Sequence, residues 1–186
     1  MTQKTTHKLI VTGMMGAGKS SVGPIVAKRL GWKFIDTDAE IVARTGKPIA
    51  RIFQKHGEPY FRELERGVIA RVAGSSEGAV IATGGGALTD HGSAAALARA
   101  GVIICLTARP EVLAERVGQA KGKRPKLTEG GKPLLDRIKE LIAERAEAYA
   151  RADAQVDTSE MTIEQAADAV VKAFTEQSER RCAPSQ

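Results

Sequence analysis

Gly13-Met14-Met15-Gly16-Ala17-Gly18-Lys19-Ser20 fits the pattern G-x-x-x-x-G-K-S and stands between an apolar run, Leu9-Ile10-Val11, and a stretch of helical period that runs to Leu30. A strand that passes through a glycine-rich turn into a helix is the setting in which this pattern cradles phosphates. The glycines let backbone N–H groups face phosphate oxygens, and the helix N-terminus adds partial positive charge. Lys19 then reaches the β and γ phosphates, and the Ser20 hydroxyl suits Mg²⁺. A nucleoside triphosphate site and the first strand-helix unit of an α/β fold are implied together.

Working outward, short apolar or β-branched runs alternate with longer stretches of helical period, as in a parallel sheet wrapped by helices. Strands are expected at residues 8–12, 33–35, 79–82, 102–106 and 155–156. Helices are expected at 19–30, 39–45, 49–56, 59–73, 93–100, 111–117, 133–150 and 163–175. Start signals support several of them: Thr89 or Asp90 before an alanine-rich run, Pro110 at a first helical position, and Thr162 with Gln165 as a capping box. Residues 118–132 break the rhythm, being rich in Gly, Lys and Arg without apolar period, and are read as a mobile segment. There are no internal repeats.

The length of 186 residues suits one core rather than two, and 42% hydrophobic with 27% charged residues is ordinary globular composition. One domain over 1–176 is expected, with a loose tail at 177–186. The net charge of +6 suits a site for ATP and an acidic substrate. Without a basic run of five or an RNA-binding or zinc-finger pattern, nucleic acid is not expected as the partner. The start of the chain is polar and its first apolar run is too short for a signal peptide or a membrane span, so a cytoplasmic protein without a membrane partner is expected. Cys105 lies in an apolar run and Cys182 in a polar tail, which excludes a disulfide framework and assigns Cys105 to the core. His7, His56 and His91 have no neighbours at metal-ligand spacing.

A second cluster, Asp36-Thr37-Asp38, follows the second expected strand, and the C-terminal ends of parallel strands face the ligand crevice. One carboxylate could serve the metal through water and the other an acceptor hydroxyl. Helix capping is the alternative, since Asp38 precedes Ala39-Glu40-Ile41.

With these residues in place, the chain up to about Thr175 resembles the shikimate kinases, small relatives of the nucleoside monophosphate kinases. The resemblance rests on the 13–20 loop, Asp36-Thr37-Asp38, Gly57-Glu58-Pro59-Tyr60-Phe61-Arg62-Glu63-Leu64-Glu65, Ala82-Thr83-Gly84-Gly85-Gly86, Arg124-Pro125, and Arg145 with Tyr149 four residues on. It implies a three-layer α/β/α fold around a five-stranded parallel sheet of order 2-3-1-4-5. It further implies a lid at about 118–132, a shikimate-binding region at about 36–65, and transfer of the ATP γ-phosphoryl group to the shikimate 3-hydroxyl by a monomer.

The resemblance also assigns roles. Gly13, Gly16, Ala17, Gly18, Lys19, Ser20 and Ser21 would hold ATP, and Ser20 with Asp36 would organise Mg²⁺. Arg62 and Arg145 would clamp the substrate carboxylate, with Glu65 holding the Arg62 guanidinium from the same helix face. Asp38 would bond the reacting hydroxyl, and Gly84, Gly85 and Gly86 would let substrate approach the backbone. Arg124 would meet the transferring phosphoryl, Arg116 would lie against adenine, and Thr83 stands where many P-loop enzymes place a metal-linked Asp. The family's Arg-Pro-Leu-Leu reads Arg124-Pro125-Lys126-Leu127 here, and the interval from Arg116 to Arg124 is one residue longer than usual. A gluconate-type kinase and a non-catalytic nucleotide-binding regulator are the competing readings. The latter would be expected to lack one of Lys19, Asp38 or Arg124, and all three are present.

Overall fold

The computed structural model describes residues 8–119 and 132–182. Five strands, β1 (Lys8–Gly13), β2 (Lys33–Asp36), β3 (Ala79–Ala82), β4 (Val102–Thr107) and β5 (Ala154–Asp157), pair in parallel in the order β2-β3-β1-β4-β5. Ile10 of β1 lies between Ile81 and Ile103 in register, so the strand that feeds the phosphate loop is the centre of the sheet. β1, β3 and β4 are covered on both faces, which is why their sequences read as continuous apolar runs instead of alternating ones. The edge strands β2 and β5 are short and partly exposed.

The helices are α1 (Lys19–Leu30), α2 (Thr37–Thr45), α3 (Ile49–Gly74), α4 (His91–Ala100), α5 (Pro110–Gln119), α6 (Leu134–Tyr149) and α7 (Ile163–Cys182), with a 3₁₀ turn at Ala87–Thr89. Strand alternation divides them between two faces. Leu9, Val11 and Ile104 pack against Val26 of α1, Leu113 of α5 and Val170 of α7. On the other face Ile10 and Ile103 meet Ile69 of α3 and Leu97 of α4, while Ile81 meets Ile41 of α2 and Phe61 of α3. Sheet order and layers are those the sequence implied.

Gly57 interrupts α3 with φ 77° and ψ 177°, a conformation open to glycine, and Pro59 restarts the helix two residues later. The halves expected at 49–56 and 59–73 therefore meet at an angle, which brings Phe53 of the first onto Phe61 of the second, ring centroids 4.7 Å apart. The capping box of α7 forms reciprocally: Gln165 N–H donates to Thr162 Oγ1 at 3.2 Å, and Thr162 N–H to Gln165 Oε1 at 2.8 Å.

The tail needs correction. α7 runs to Cys182 rather than ending near 175, so the expected loose tail is helical over 177–182, while 183–186 lie outside the described residues. Arg181 ties this end down by donating to both oxygens of Asp153 at 2.8 Å and to the Gly101 carbonyl at 3.0 Å. A helix end fixed by one arginine needs no apolar periodicity, so the sequence offered none to read. His56 stacks on Tyr60 and His91 lies beside Arg151. Cys105 is fully buried, and burial pushes its thiol up to about 11. Among the described residues no helix is long and apolar enough to cross a membrane. The expected lid falls mostly on residues 120–131, outside the described residues, although Gly118 and Gln119 belong to α5.

Candidate active site

A cavity of about 630 Å³ opens at the C-terminal ends of the strands, where the 13–20 loop leaves β1 for α1. Gly13 has φ +128°, and any β-carbon on it would strike the Leu106 carbonyl of β4, so the first glycine of the motif is demanded by the sheet itself. Gly18 begins α1 without a side chain to cap it, and an anion can take that capping role. The Lys19 ammonium lies across the loop, donating to the Gly13 carbonyl at 2.8 Å and the Met14 carbonyl at 3.0 Å. Gly16, Ala17, Gly18, Lys19, Ser20 and Ser21 all line the cavity.

The two aspartates do different work. Asp36 Oδ1 accepts the N–H groups of Asp38 at 3.0 Å and Ala39 at 3.2 Å, so the cap of α2 is Asp36, not Asp38, and the helix starts at Thr37. Its other oxygen, Oδ2, accepts the Ser20 hydroxyl at 3.0 Å. A hydroxyl and a carboxylate at the mouth of a phosphate loop are hard oxygen donors of the kind Mg²⁺ takes when phosphates and water complete its shell. Thr83 makes no such contact: it is buried below, and its hydroxyl donates to Thr12 Oγ1 at 3.1 Å.

Asp38, released from capping, faces Gly84. A β-carbon on Gly84 would stand 2.5 Å from Glu65 Oε1 and 3.2 Å from Asp38 Oδ1. One on Gly85 would stand 3.0 Å from the Arg145 guanidinium, and one on Gly86 would collide with Arg62. The glycine triplet is thus a seam along which the site passes from carboxylates to guanidiniums, and bare backbone keeps it open. Tyr149 fixes the seam by donating to the Gly85 carbonyl at 2.7 Å, and burial pushes its hydroxyl above the usual range.

Arg62 is held from two sides. Nη1 donates to Glu65 Oε2 at 2.5 Å, while Nε and Nη2 reach Glu58 Oε1 at 3.1 and 3.0 Å. Glu65 is 2% exposed, and its Oε1 has no hydrogen-bond partner among the described residues. Burial raises the Glu65 carboxyl above the usual range, against the opposing pull of Arg62. Arg145 is 5% exposed and directs Nη1 at the Met14 sulfur, 3.4 Å away. A buried guanidinium, Arg145, and a half-buried one, Arg62, converging on one cavity suit a carboxylate.

At the opposite end Arg116 donates to the Thr158 hydroxyl at 3.1 Å and the Thr158 carbonyl at 2.8 Å, with Gly16 O 3.5 Å away. Exposed Met161 and Ile163 line the same end and give it an apolar wall. Arg124 lies outside the described residues. Every other residue given a site role from the sequence lines the cavity except Gly13, which shapes the loop beneath it. No site role was read for Glu58, the Phe53–Phe61 wall or Thr158, although Glu58 and Phe61 stand in the 57–65 stretch that carries the resemblance. Glu58 is recoverable from its spacing, four residues before Arg62 on a helix, whereas the other two depend on contacts across the chain.

The family model for shikimate kinase matches residues 15–175. The shikimate kinase of Caldanaerobacter subterraneus subsp. tengcongensis is 40% identical over 172 residues, covering 89% of this chain and 95% of that protein. The structure of shikimate kinase from Acinetobacter baumannii in complex with shikimate superposes with a TM-score of 0.85 at 30% identity, covering 97% of each chain. A gluconokinase from Sinorhizobium meliloti superposes with a TM-score of 0.61 at 20% identity, over 96% of this chain and 97% of the other, and shares the fold alone.

Proposed function

Because the chain belongs to the shikimate kinase family, we propose that it transfers the γ-phosphoryl group of ATP to the 3-hydroxyl of shikimate, giving shikimate 3-phosphate and ADP. The observation that carries the reading is the order of groups along one cavity: phosphate loop, then Asp38, then the glycine seam, then the guanidiniums of Arg62 and Arg145. Shikimate presents a carboxylate and three hydroxyls on one ring. With its carboxylate on Arg62 and Arg145, its hydroxyls lie toward Asp38 and the phosphate loop, and its ring faces Phe53 and Phe61.

Lys19 and the loop N–H groups hold the phosphates, and Asp38 orients the acceptor hydroxyl and takes its proton as the new bond forms. Ser20 and Asp36 would hold Mg²⁺, which neutralises phosphate charge when bound. Arg116, fixed by Thr158, borders the adenine end. Arg124, outside the described residues, is assigned to the transferring phosphoryl group. The same reading makes the protein a cytoplasmic monomer.

A gluconate-type kinase also needs a carboxylate site, so the test is a comparison of acceptors. ADP formation measured with shikimate, gluconate and nucleoside monophosphates should give a kcat/KM for shikimate at least about two orders of magnitude above the others. Turnover as fast with gluconate would overturn the assignment.

A further inference from the structure

Thr158 has 2% of its surface exposed and joins three parts of the nucleotide end that are far apart in sequence. Its Oγ1 lies 3.1 Å from the Ala17 carbonyl of the phosphate loop, 3.1 Å from the Thr107 carbonyl at the end of β4, and 3.1 Å from Arg116 Nη1 on α5. A hydroxyl has one proton and two lone pairs, so it accepts from Arg116 and shares its proton between the two carbonyls. The Thr107 carbonyl already receives the Thr158 N–H at 2.8 Å. Ala17 is the acceptor that depends on the hydroxyl most.

The direction of that bond has a consequence for phosphate binding. In a planar trans peptide the carbonyl and the following N–H point to opposite sides. Drawing the Ala17 carbonyl onto Thr158 therefore fixes the direction of the Gly18 N–H, which points away from Thr158 at a residue that lines the cavity. The same hydroxyl fixes the guanidinium of Arg116, and the Thr158 carbonyl also accepts the Met161 N–H at 3.3 Å, at the start of the apolar wall. We propose that Thr158 is a positioning residue for the nucleotide: its hydroxyl sets the Ala17–Gly18 peptide and Arg116 together, so that phosphate cradle and base end are formed as one unit. The inference rests on the nucleotide end of the proposed reaction and is independent of the acceptor.

The test uses the full chain with Thr158→Val, which keeps the shape and removes the hydroxyl, and Thr158→Ser, which keeps the hydroxyl. ADP with Mg²⁺ and shikimate are titrated separately by calorimetry, and steady-state constants are measured for the active variants. Losing one hydrogen bond of this kind, part of it to a charged group, should raise the ADP Kd and the ATP KM about five- to tenfold in Thr158→Val. The shikimate Kd should stay within about twofold, and Thr158→Ser should return ADP binding to within about twofold of the parent. If Thr158→Val does not fold, Thr158→Ala takes its place as the variant without the hydroxyl. Unchanged ADP binding without the hydroxyl, failure of serine to restore it, or an equal loss of shikimate affinity would each overturn the inference. Parent protein that binds ADP in this pattern but does not phosphorylate shikimate would overturn the proposed function and leave the role of Thr158 standing.

Discussion

Removing each of the two carboxylates that hold Arg62 should have very different consequences, and the difference can be worked from their surroundings. The Glu58 side chain is 46% exposed, so its pair with Arg62 belongs with surface ion pairs worth about 0–1 kcal/mol. The Glu65 side chain is 2% exposed and that of Arg62 is 16%, so Glu65→Ala strips a nearly buried guanidinium of its inner partner. Breaking a buried pair costs about 3–5 kcal/mol, and Glu58 offsets part of that by keeping Nε and Nη2 occupied. If about 2 kcal/mol appears as misdirection of Arg62, the KM for shikimate rises roughly 30-fold, against at most about fivefold for Glu58→Ala. The KM for ATP should stay within about twofold in both, because neither residue reaches the phosphate loop. Coupled detection of ADP gives both constants, and a thermal melt confirms that each variant is folded. Equal effects of the two substitutions, or a folded Glu65→Ala protein with unchanged KM for shikimate, would refute the claim that the inner carboxylate aims Arg62.

Other outcomes follow from the same geometry. Gly84→Ala sets a methyl group 2.5 Å from Glu65 Oε1, so kcat/KM for shikimate should fall by about two orders of magnitude while nucleotide binding persists; activity near the parent's would mean the seam is not part of the site. Asp38→Asn should abolish most turnover with ATP affinity nearly unchanged, whereas Asp36→Asn should be partly rescued by raised Mg²⁺; the reverse pattern would exchange their roles. Native protein at pH 8 should show one rapidly reacting thiol, Cys182, and two only after denaturation, since Cys105 is buried. The Cys105 pKa is raised from 9.0 to about 11, so its contribution to stability is intact below about pH 9 and lost as pH rises toward about 11, a decline that Cys105→Ala should remove.

How much of this was legible in the sequence differs between elements for physical reasons. The buried strands and the 13–20 loop announce themselves because local composition determines them: continuous apolar runs need a sheet covered on both faces, and the loop pattern needs its strand and helix. The division of labour between Asp36 and Asp38 came only from the family resemblance, because locally either carboxylate suits a cap and it is the folded backbone that brings Asp36 to Ser20 and to the start of the helix. Helix α7 was read as too short because its last turns are held by one side chain, Arg181, on Asp153 and the Gly101 carbonyl, contacts across 28 and 80 positions of sequence. Phe53 meeting Phe61 likewise depends on the angle set at Gly57, and Thr158 matters through contacts with residues 51 and 141 positions away. Phe53 and Thr158 were missed because their roles come from neighbours in space, whereas Glu58 lies within reach of Arg62 along one helix and could have been read.

The central claim is that this cavity carries the phosphoryl group of ATP to one hydroxyl of shikimate, and ³¹P nuclear magnetic resonance of the reaction mixture tests it most directly. With ATP, Mg²⁺ and shikimate, one new phosphomonoester should appear in step with ADP, coupled to the proton on ring carbon 3. Phosphate on another hydroxyl, or release only as inorganic phosphate, would contradict the placement of the acceptor between Asp38 and the paired arginines.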